Sequence, residues 1–533
     1  MVILLILVSS ILGRNLPDMK YFYFTLLILL AVSCTSQEEY PTLEENTMIH
    51  RDESLKPFYH GVASGDPYAE SVLLWTRVSP ETQLPEIKVT WEVAEDANFS
   101  AIVTSGSTTT GPEKDYTVKV EAIGLAAGTV YHYRFMALDG TSMTGKTMTA
   151  AEETSQLNFA VVSCSNYEWG YFNAYGRIAE EENLNAVIHL GDYIYEYGTD
   201  TYGDTTIGRI NIPTHEIISL QDYRDRYSLY RLDPDLIAAH ASHPFIVIWD
   251  DHEIANNSYV DGAQNHQDDE GSYLARKTAA RKAYYEWLPI RDTPNHYREF
   301  KFGELADLFM LDERLAGRTK PADSLGDPSL LDENRTLLGQ EQFNWLEENL
   351  KSSKAKWKLI GNQVIYSYLN WGYETFNINL DSWDGYPQDQ EKLASVIKDN
   401  EIENVIFITG DTHSAWAFEV TNQPFDEYDP ETSEGAFALE FGTTSINSSN
   451  ANERYSTDTV LLHEQKITNS EINPHLKYSN LRDHGYLLLR LTDEKVIANY
   501  KFVETLRERN SNVRSEIILE AMSGSVKLKK AKK

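Results

Sequence analysis

Three stretches decide the fold: AVIHLGDYIYEYG (residues 186–198), PFIVIWDDHEIANN (244–257) and NVIFITGDTHSAW (404–416). Each is an apolar run of buried-strand length that breaks at once into Asp, Tyr or His. LNFAVVSC (157–164), LADLFMLDER (305–314) and KWKLIGNQ (356–363) share the pattern. Between these runs lie stretches of helical spacing, 173–183 and 337–350, the second with Trp345, Leu346 and Leu350 on one face. Strands alternating with helices indicate an α/β fold. In open α/β sheets the carboxyl ends of the strands share one crevice, where ligands bind. Carboxylate, imidazole and phenolate groups delivered to one place make a metal site the first hypothesis.

Working outward, residues 56–152 read differently. Ile87, Val89, Trp91 and Val93 alternate with polar residues, SVLLWTRV (71–78) and VKVEAI (118–123) give further strands, and Gly, Thr and Ser separate them. Short strands at that spacing predict a β-sandwich. LAAGTVYHY (125–133) has the form of a fibronectin III-like tyrosine corner. The α/β region is expected to run over 155–505, with a polar Ser- and Asn-rich loop (443–450) and a late hairpin (486–491 with 496–502). Residues 506–533 are expected to be a C-terminal tail, whose last residues, VKLKKAKK, read as basic and disordered. There is no Walker loop and no G-x-S-x-G elbow.

At the N-terminus, Met19-Lys20 precedes an apolar stretch, 24–32, that ends in Ser33-Cys34. It is too short to span a bilayer comfortably and fits a signal h-region. The small residues before Cys34 resemble a bacterial lipobox, so 1–34 is expected to be a signal/lipoprotein segment with a lipid at Cys34, and 35–55 a tether. That predicts an extracytoplasmic lipoprotein, periplasmic or anchored at the outer membrane or cell surface. The chain has two cysteines, so lipidation of Cys34 leaves Cys164 alone. The formal net charge is −34, from 81 acidic against 47 basic residues, which disfavours nucleic acid as a stable partner. A monomer is expected.

Among the strand ends, Asp250-Asp251-His252-Glu253 is the most specific element. Adjacent carboxylates after five apolar residues repel each other unless a cation joins them, and His252 beside them can bind or protonate a substrate oxygen. Glu253 either orients His252 or begins a helix. Asp192 suits a bridge between two metals, and Tyr195 lies about a turn further on. Asp411 and His413 share a turn, Asn362 offers a neutral oxygen, and a thiolate at Cys164 suits iron or zinc far better than magnesium.

At these residues the chain resembles the PhoD-like alkaline phosphatases of the metallophosphoesterase superfamily. The resemblance rests on HGVASGDPYAESVLLWTR (60–77), SCSNYEWG (163–170), HLGDYIYE (189–196), DYRDRYSLYRLDPDLIAAHASHPFIVIWDDHE (222–253), WDGYP (383–387) and GDTHSAW (410–416). It implies a four-layer αββα catalytic domain behind the β-sandwich, and phosphate-ester hydrolysis with one ferric ion and one or two calcium ions. Cys164, Asp192, Tyr195 and His413 would hold iron, with Asp192 bridging to calcium and Asp251, Asn362 and Asp411 completing that second site. His252, and Arg314 from LDERL, would meet phosphate. Where family members often carry a basic residue just after WDGYP, this chain has Gln388, Asp389 and Gln390, and its nearest is Lys392. The expected activity is a phosphomonoesterase with some phosphodiesterase activity that scavenges phosphate. The alternatives are a diesterase or phospholipase-type enzyme, and a non-catalytic surface-binding lipoprotein.

Overall fold

The computed structural model describes Thr47 and residues 50–531. The signal segment, Cys34 and most of the tether lie outside the described residues.

The described chain begins with strands β1 (Val62–Gly65), β2 (Ser71–Arg77), β3 (Ile87–Ala94), β4 (Ile102–Thr110), β5 (Thr117–Ile123), β6 (Val130–Ala137), β7 (Gly140–Thr141) and β8 (Gly145–Met148). Next come β9 (Gln156–Val162), helix α1 (Asn173–Glu180), β10 (Ala186–His189), α2 (Leu220–Arg231), α3 (Pro234–Ser242), β11 (Pro244–Val247) and α4 (Tyr273–Trp287). The second half runs β12 (Arg298–Phe302), β13 (Ala306–Met310), α5 (Gly339–Ser352), β14 (Trp357–Asn362), α6 (Pro387–Asp399), β15 (Val405–Thr409), β16 (Ala415–Val420) and β17 (Ala438–Gly442). It closes with α7 (Thr457–Ile467), β18 (Leu476–Asn480), β19 (Gly485–Thr492), β20 (Lys495–Val503), β21 (Val513–Met522) and β22 (Lys529–Lys530).

Two mixed sheets stack. The first has the order β22-β21-β20-β19-β9-β10-β11-β1-β2-β5, the second β12-β13-β14-β15-β17-β16-β18. Successive strand residues point to opposite faces, and the sequence uses both. On the first sheet, Phe159, Val161, Ile188 and Ile246 meet Leu308, Met310, Leu359, Ile406 and Phe441 of the second. Their neighbours Ala160, Val162, Val187 and Phe245 face outward under α1–α4, against Tyr175, Tyr227, Leu236 and Trp287. On the far side Phe309, Ile360 and Phe407 are covered by Leu346 and Leu350 of α5 and Leu393 and Ile397 of α6. The result is an αββα sandwich.

Local chemistry starts the helices. Ser219 and Asp222 form a capping box at α2, each side chain bonding the other's backbone N–H. Asp233 caps α3, with Pro234 at its first turn. Both are favoured starts.

Two boundaries differ from the sequence reading. Residues 56–152 do form a β-sandwich, whose core joins Val72, Leu74, Val118 and Ala122 to Val89, Trp91, Tyr131 and Phe135. However, only β3, β4, β6, β7 and β8 form a sheet of their own. Strands β1, β2 and β5 extend the catalytic sheet, because β1 pairs in parallel with β11, with Ser64 opposite Pro244. Local alternation cannot reveal so distant a pairing. The residues from 506 are also more than a tail. Strand β21 pairs antiparallel with β20 over Val513–Met522, and β22 adds Lys529 and Lys530. These two lysines of VKLKKAKK stand on an exposed edge strand, a common place for charge.

Candidate metal centre

The metal-donor candidates stand at or just beyond the carboxyl ends of five strands, and Arg314 follows a sixth, β13. Cys164 follows β9, Asp192 and Tyr195 follow β10, Asp251 and His252 follow β11, Asn362 ends β14, and Asp411 and His413 follow β15. Four of them, Cys164, Asp192, Asp411 and His413, have φ between +55° and +61°. Such left-handed backbone costs a non-glycine residue on the order of 1–3 kcal/mol and clusters where function demands it. Close approach is enforced by glycine. A Cβ on Gly191 would lie 2.3 Å from the Asp250 nitrogen, and one on Gly410 would lie 2.9 Å from the Ser163 Cβ.

Two donor clusters result. Cys164, Asp192 and His413 offer ligand atoms within 4.8 Å of one another, and so do Asp192, Asp251 and His252. Asp192 belongs to both. Tyr195 joins the first cluster, its hydroxyl 3.0 Å from Asp192 Oδ2 and 3.0 Å from His413 Nε2. His413 Nδ1 lies 2.6 Å from the Ser449 carbonyl, which accepts the ring's proton there and leaves Nε2 as the free donor. Burial lowers the His413 pKa to about 4, so the ring is neutral. Burial drives the Cys164 thiol well above its ordinary pKa, and the Asp192 charge adds to this. Burial also raises Asp192 well above the carboxylate range, with Asp251 and Asp250 adding.

The second cluster carries the tetrad. Asp251 Oδ1 and Asp250 Oδ2 are buried and have no hydrogen-bond partner. Glu253 neither orients His252 nor begins a helix. Its carboxylate accepts from the backbone N–H of Asp192 (3.1 Å), Tyr193 (2.6 Å) and Asp250 (2.9 Å), clamping the β10 and β11 loops together. The residue that orients His252 is Glu196, whose Oε2 lies 2.6 Å from Nδ1, while its Oε1 accepts from Asn256 N–H (2.7 Å) and Asn265 Nδ2 (2.8 Å). Burial opposes charge on His252, but Asp251, Glu196 and Asp192 outweigh it and raise its pKa well above the usual value. Glu196 was missed because one glutamate in a tyrosine-rich run carries no signal of its own.

Asp411, pushed up to about 7 by burial, faces the Arg314 guanidinium at 3.5 Å. Arg314 is not open to a ligand. Its side chain is fully buried, its Nε bonds Asp250, its Nη1 bonds Asp381 at 2.6 Å, and its Nη2 lies 3.9 Å from Asp251. Its place is that of a counter-ion inside the acidic cluster. The Asn362 amide is held in place, its oxygen accepting from Trp383 Nε1 (2.9 Å) and its nitrogen donating to Val364 O and to Thr409 Oγ1 (3.2 Å). An amide oxygen has two lone pairs, so one is left to offer an ion. WDGYP is thereby a structural motif in part, since Trp383 also bonds Glu313 at 3.1 Å and Tyr386 bonds the Thr319 carbonyl at 2.7 Å.

Chemically, a thiol, a phenol and a neutral imidazole meet a shared carboxylate on one side, and unpartnered carboxylate oxygens crowd the other. Cations relieve both sets, because a soft-and-phenolic set and an oxygen set are complementary to different metals.

The chain is similar to known proteins over most of its length. The profile of the PhoD-like phosphatase family matches residues 159–500, and that of the PhoD-like phosphatase N-terminal domain matches 44–151. Alkaline phosphatase D of Bacillus subtilis (strain 168) is 39% identical over 483 residues, spanning 85% of this chain and 78% of that protein. A solved structure of PhoD superposes with a TM-score of 0.80 at 36% identity, covering 90% of this chain and 93% of that one.

Proposed function

Since the chain belongs to the PhoD-like phosphatases, and is thereby a phosphoric ester hydrolase of the alkaline phosphatase kind, we propose that its two donor clusters hold a ferric ion and calcium and that it hydrolyses small phosphate monoesters, with some diesterase activity, outside the cytoplasm. The observation that carries this reading is Asp192, shared by a cluster with a thiol and an imidazole and by a cluster of oxygen donors and His252.

In the proposal Cys164, Tyr195, His413 and Asp192 would hold iron, while Asp192, Asp251, Asp411 and Asn362 would hold calcium. The metals would polarise the phosphoryl group and lower the pKa of a water to near neutrality. The protein's own residues do the rest. Asp192 fixes the spacing of the two sites, itself held by the Glu253 clamp. Glu196 accepts the Nδ1–H hydrogen bond of His252, which aims Nε2 at the substrate, where its proton would pass to the departing alkoxide. Arg314 balances the carboxylates that the cations leave uncompensated.

Export and a lipid at Cys34 belong to the same reading. Among the described residues, no helix is long and apolar enough to cross a membrane. Mass analysis of the mature N-terminus tests the lipid.

The central test is metal analysis of protein expressed with iron and calcium, followed by a panel of mono- and diesters. We expect bound iron, visible absorbance from the Tyr195 phenolate and rapid monoester hydrolysis. Stoichiometric iron in a colourless protein would remove Tyr195 from the ligand set, and no hydrolysis with both metals supplied would remove the enzyme.

A further inference from the structure

Beside the donor clusters lies a cavity of about 400 Å³ whose wall is built by two loops, 321–325 and 375–381, and by Asn257. Its inner edge is continuous with the metal centre through two residues. The Asn257 N–H donates to Asp251 Oδ2 at 2.5 Å, and Asp381 holds the Arg314 guanidinium at 2.6 Å while Arg314 faces Asp411. Both loops lie beyond the carboxyl ends of β13 and β14, on the crevice side of the second sheet.

The lining has a definite chemistry. It contains no Lys or Arg. Its two carboxylates are already paired, Asp323 with Lys320 at 3.0 Å and Asp381 with Arg314 and Arg318. Large apolar side chains remain unspent: Leu325 is 53% exposed and Phe376 45% exposed, and both line the cavity together with Ile378 and Leu380. Single exposed apolar residues need no explanation, but several converging on one cavity beside a reaction centre do. The Phe376 loop is also braced. The ring packs on Trp371 at 5.6 Å, the Trp371 N–H donates to the Asn377 carbonyl at 2.8 Å, and α7 holds the loop from behind through His463 on the Trp371 carbonyl (2.8 Å) and Lys466 on that of Gly372 (2.7 Å). The apolar surface is preformed, so little ordering cost falls on a ligand that meets it.

We propose that this cavity is the leaving-group subsite and that Leu325 and Phe376 determine specificity by binding the apolar part of the alcohol released from a phosphate ester. A neutral alkyl or aryl alcohol fits it. A leaving group that carries a second phosphate does not, because the wall offers that charge no cation. The proposal rests on the hydrolase reading above and deepens it.

The test is steady-state kinetics of the metal-loaded enzyme on n-alkyl phosphates from methyl to hexyl, for the wild type, Leu325→Ser, Phe376→Ser and the double variant. In the wild type kcat/KM should rise roughly fourfold per methylene, the factor expected when each group leaves water for an apolar wall. The double variant should flatten that series, losing tenfold or more on hexyl phosphate, chiefly through KM, while methyl phosphate stays within twofold. Equal losses on methyl and hexyl phosphate would make the loops merely structural and overturn the subsite, and so would a wild-type series with no chain-length dependence. Hydrolysis of neither ester by metal-loaded wild type would overturn the hydrolase itself, an outcome distinct from the others.

Discussion

The crevice and the junction between the β-sandwich and the catalytic sheet are both buried and both rich in charge, yet their bookkeeping differs. At the junction each acid has its own guanidinium: Arg77 with Asp115 at 2.9 Å, Arg298 with Asp66 at 3.1 Å and Arg224 with Glu286 at 2.7 Å. In the crevice Asp250, Asp251, Asp381 and Asp411 crowd around the guanidinium of Arg314, Asp192 stands beside them in a donor cluster, and one oxygen each of Asp250 and Asp251 has no hydrogen-bond partner. Charge closed within the protein is architecture. Charge left open requires something from outside, and cations are what this donor set accepts.

The sharpest way to break the contrast is to neutralise one acid on each side. Asp192→Asn should lower kcat/KM by on the order of 10³-fold or more, since it removes charge from both donor clusters at once, and should lose both metals by elemental analysis. Asp115→Asn should lower stability while the folded fraction keeps its turnover. Retention of both metals by the Asp192 variant would erase the distinction. Chelation of the wild type extends the same test, because only the crevice should respond. We expect activity to vanish and stability to fall by about 4 kcal/mol for each emptied site, relative to protein at a thousandfold excess of metal over its Kd.

Arg77→Met probes the other side. It leaves Asp115 buried without its guanidinium, which costs about 3–5 kcal/mol, read as a lower denaturation midpoint with metal content unchanged. An equally stable variant would mean that the junction is as open as the crevice.

Glu196→Gln is a smaller and more selective change, since the amide can still meet His252 but cannot hold its charge. Loss of such a supporting partner costs about 10–100-fold. It should fall mainly on kcat, more heavily on alkyl than on nitrophenyl esters, because only the poorer leaving group needs its proton delivered. Uniform loss across leaving groups would assign Glu196 to folding alone.

Most of the donor set was legible in the sequence because chemistry sits where apolar runs stop, and a strand end is a local signal. Cys164, Asp192, Asp251, His252 and His413 stand at such ends, the family resemblance supplied their expected roles, and the structure brings their donor atoms together. What escaped was relational. Glu196 acquires its meaning from His252, 56 residues away, Glu253 from three N–H groups on two loops, and Arg314 changes from a phosphate contact to a counter-ion only once Asp250, Asp381 and Asp411 surround it. The fold shows the same division. The late hairpin and the helix over α5 follow from local periodicity, whereas the pairing of β1 with β11 and the placement of β21 beside β20 depend on contacts that no window of sequence contains.

The mildest test lies in the sandwich, farthest in character from the crevice. The Tyr131 hydroxyl accepts from the Ala126 N–H at 2.8 Å, and the ring is buried in the core between the two sheets. This is the tyrosine corner expected of LAAGTVYHY, and its one polar atom is matched to one backbone donor. Tyr131→Phe keeps the ring and removes that single bond, so it should cost about 1 kcal/mol, the net worth of one hydrogen bond. Thermal denaturation would report a shift of a few degrees at most, while metal content and kcat/KM stay at wild-type values. A change in metal content would mean that the sandwich communicates with the donor loops through β1 and β2, and that the charge-closed and charge-open regions are coupled rather than merely adjoining.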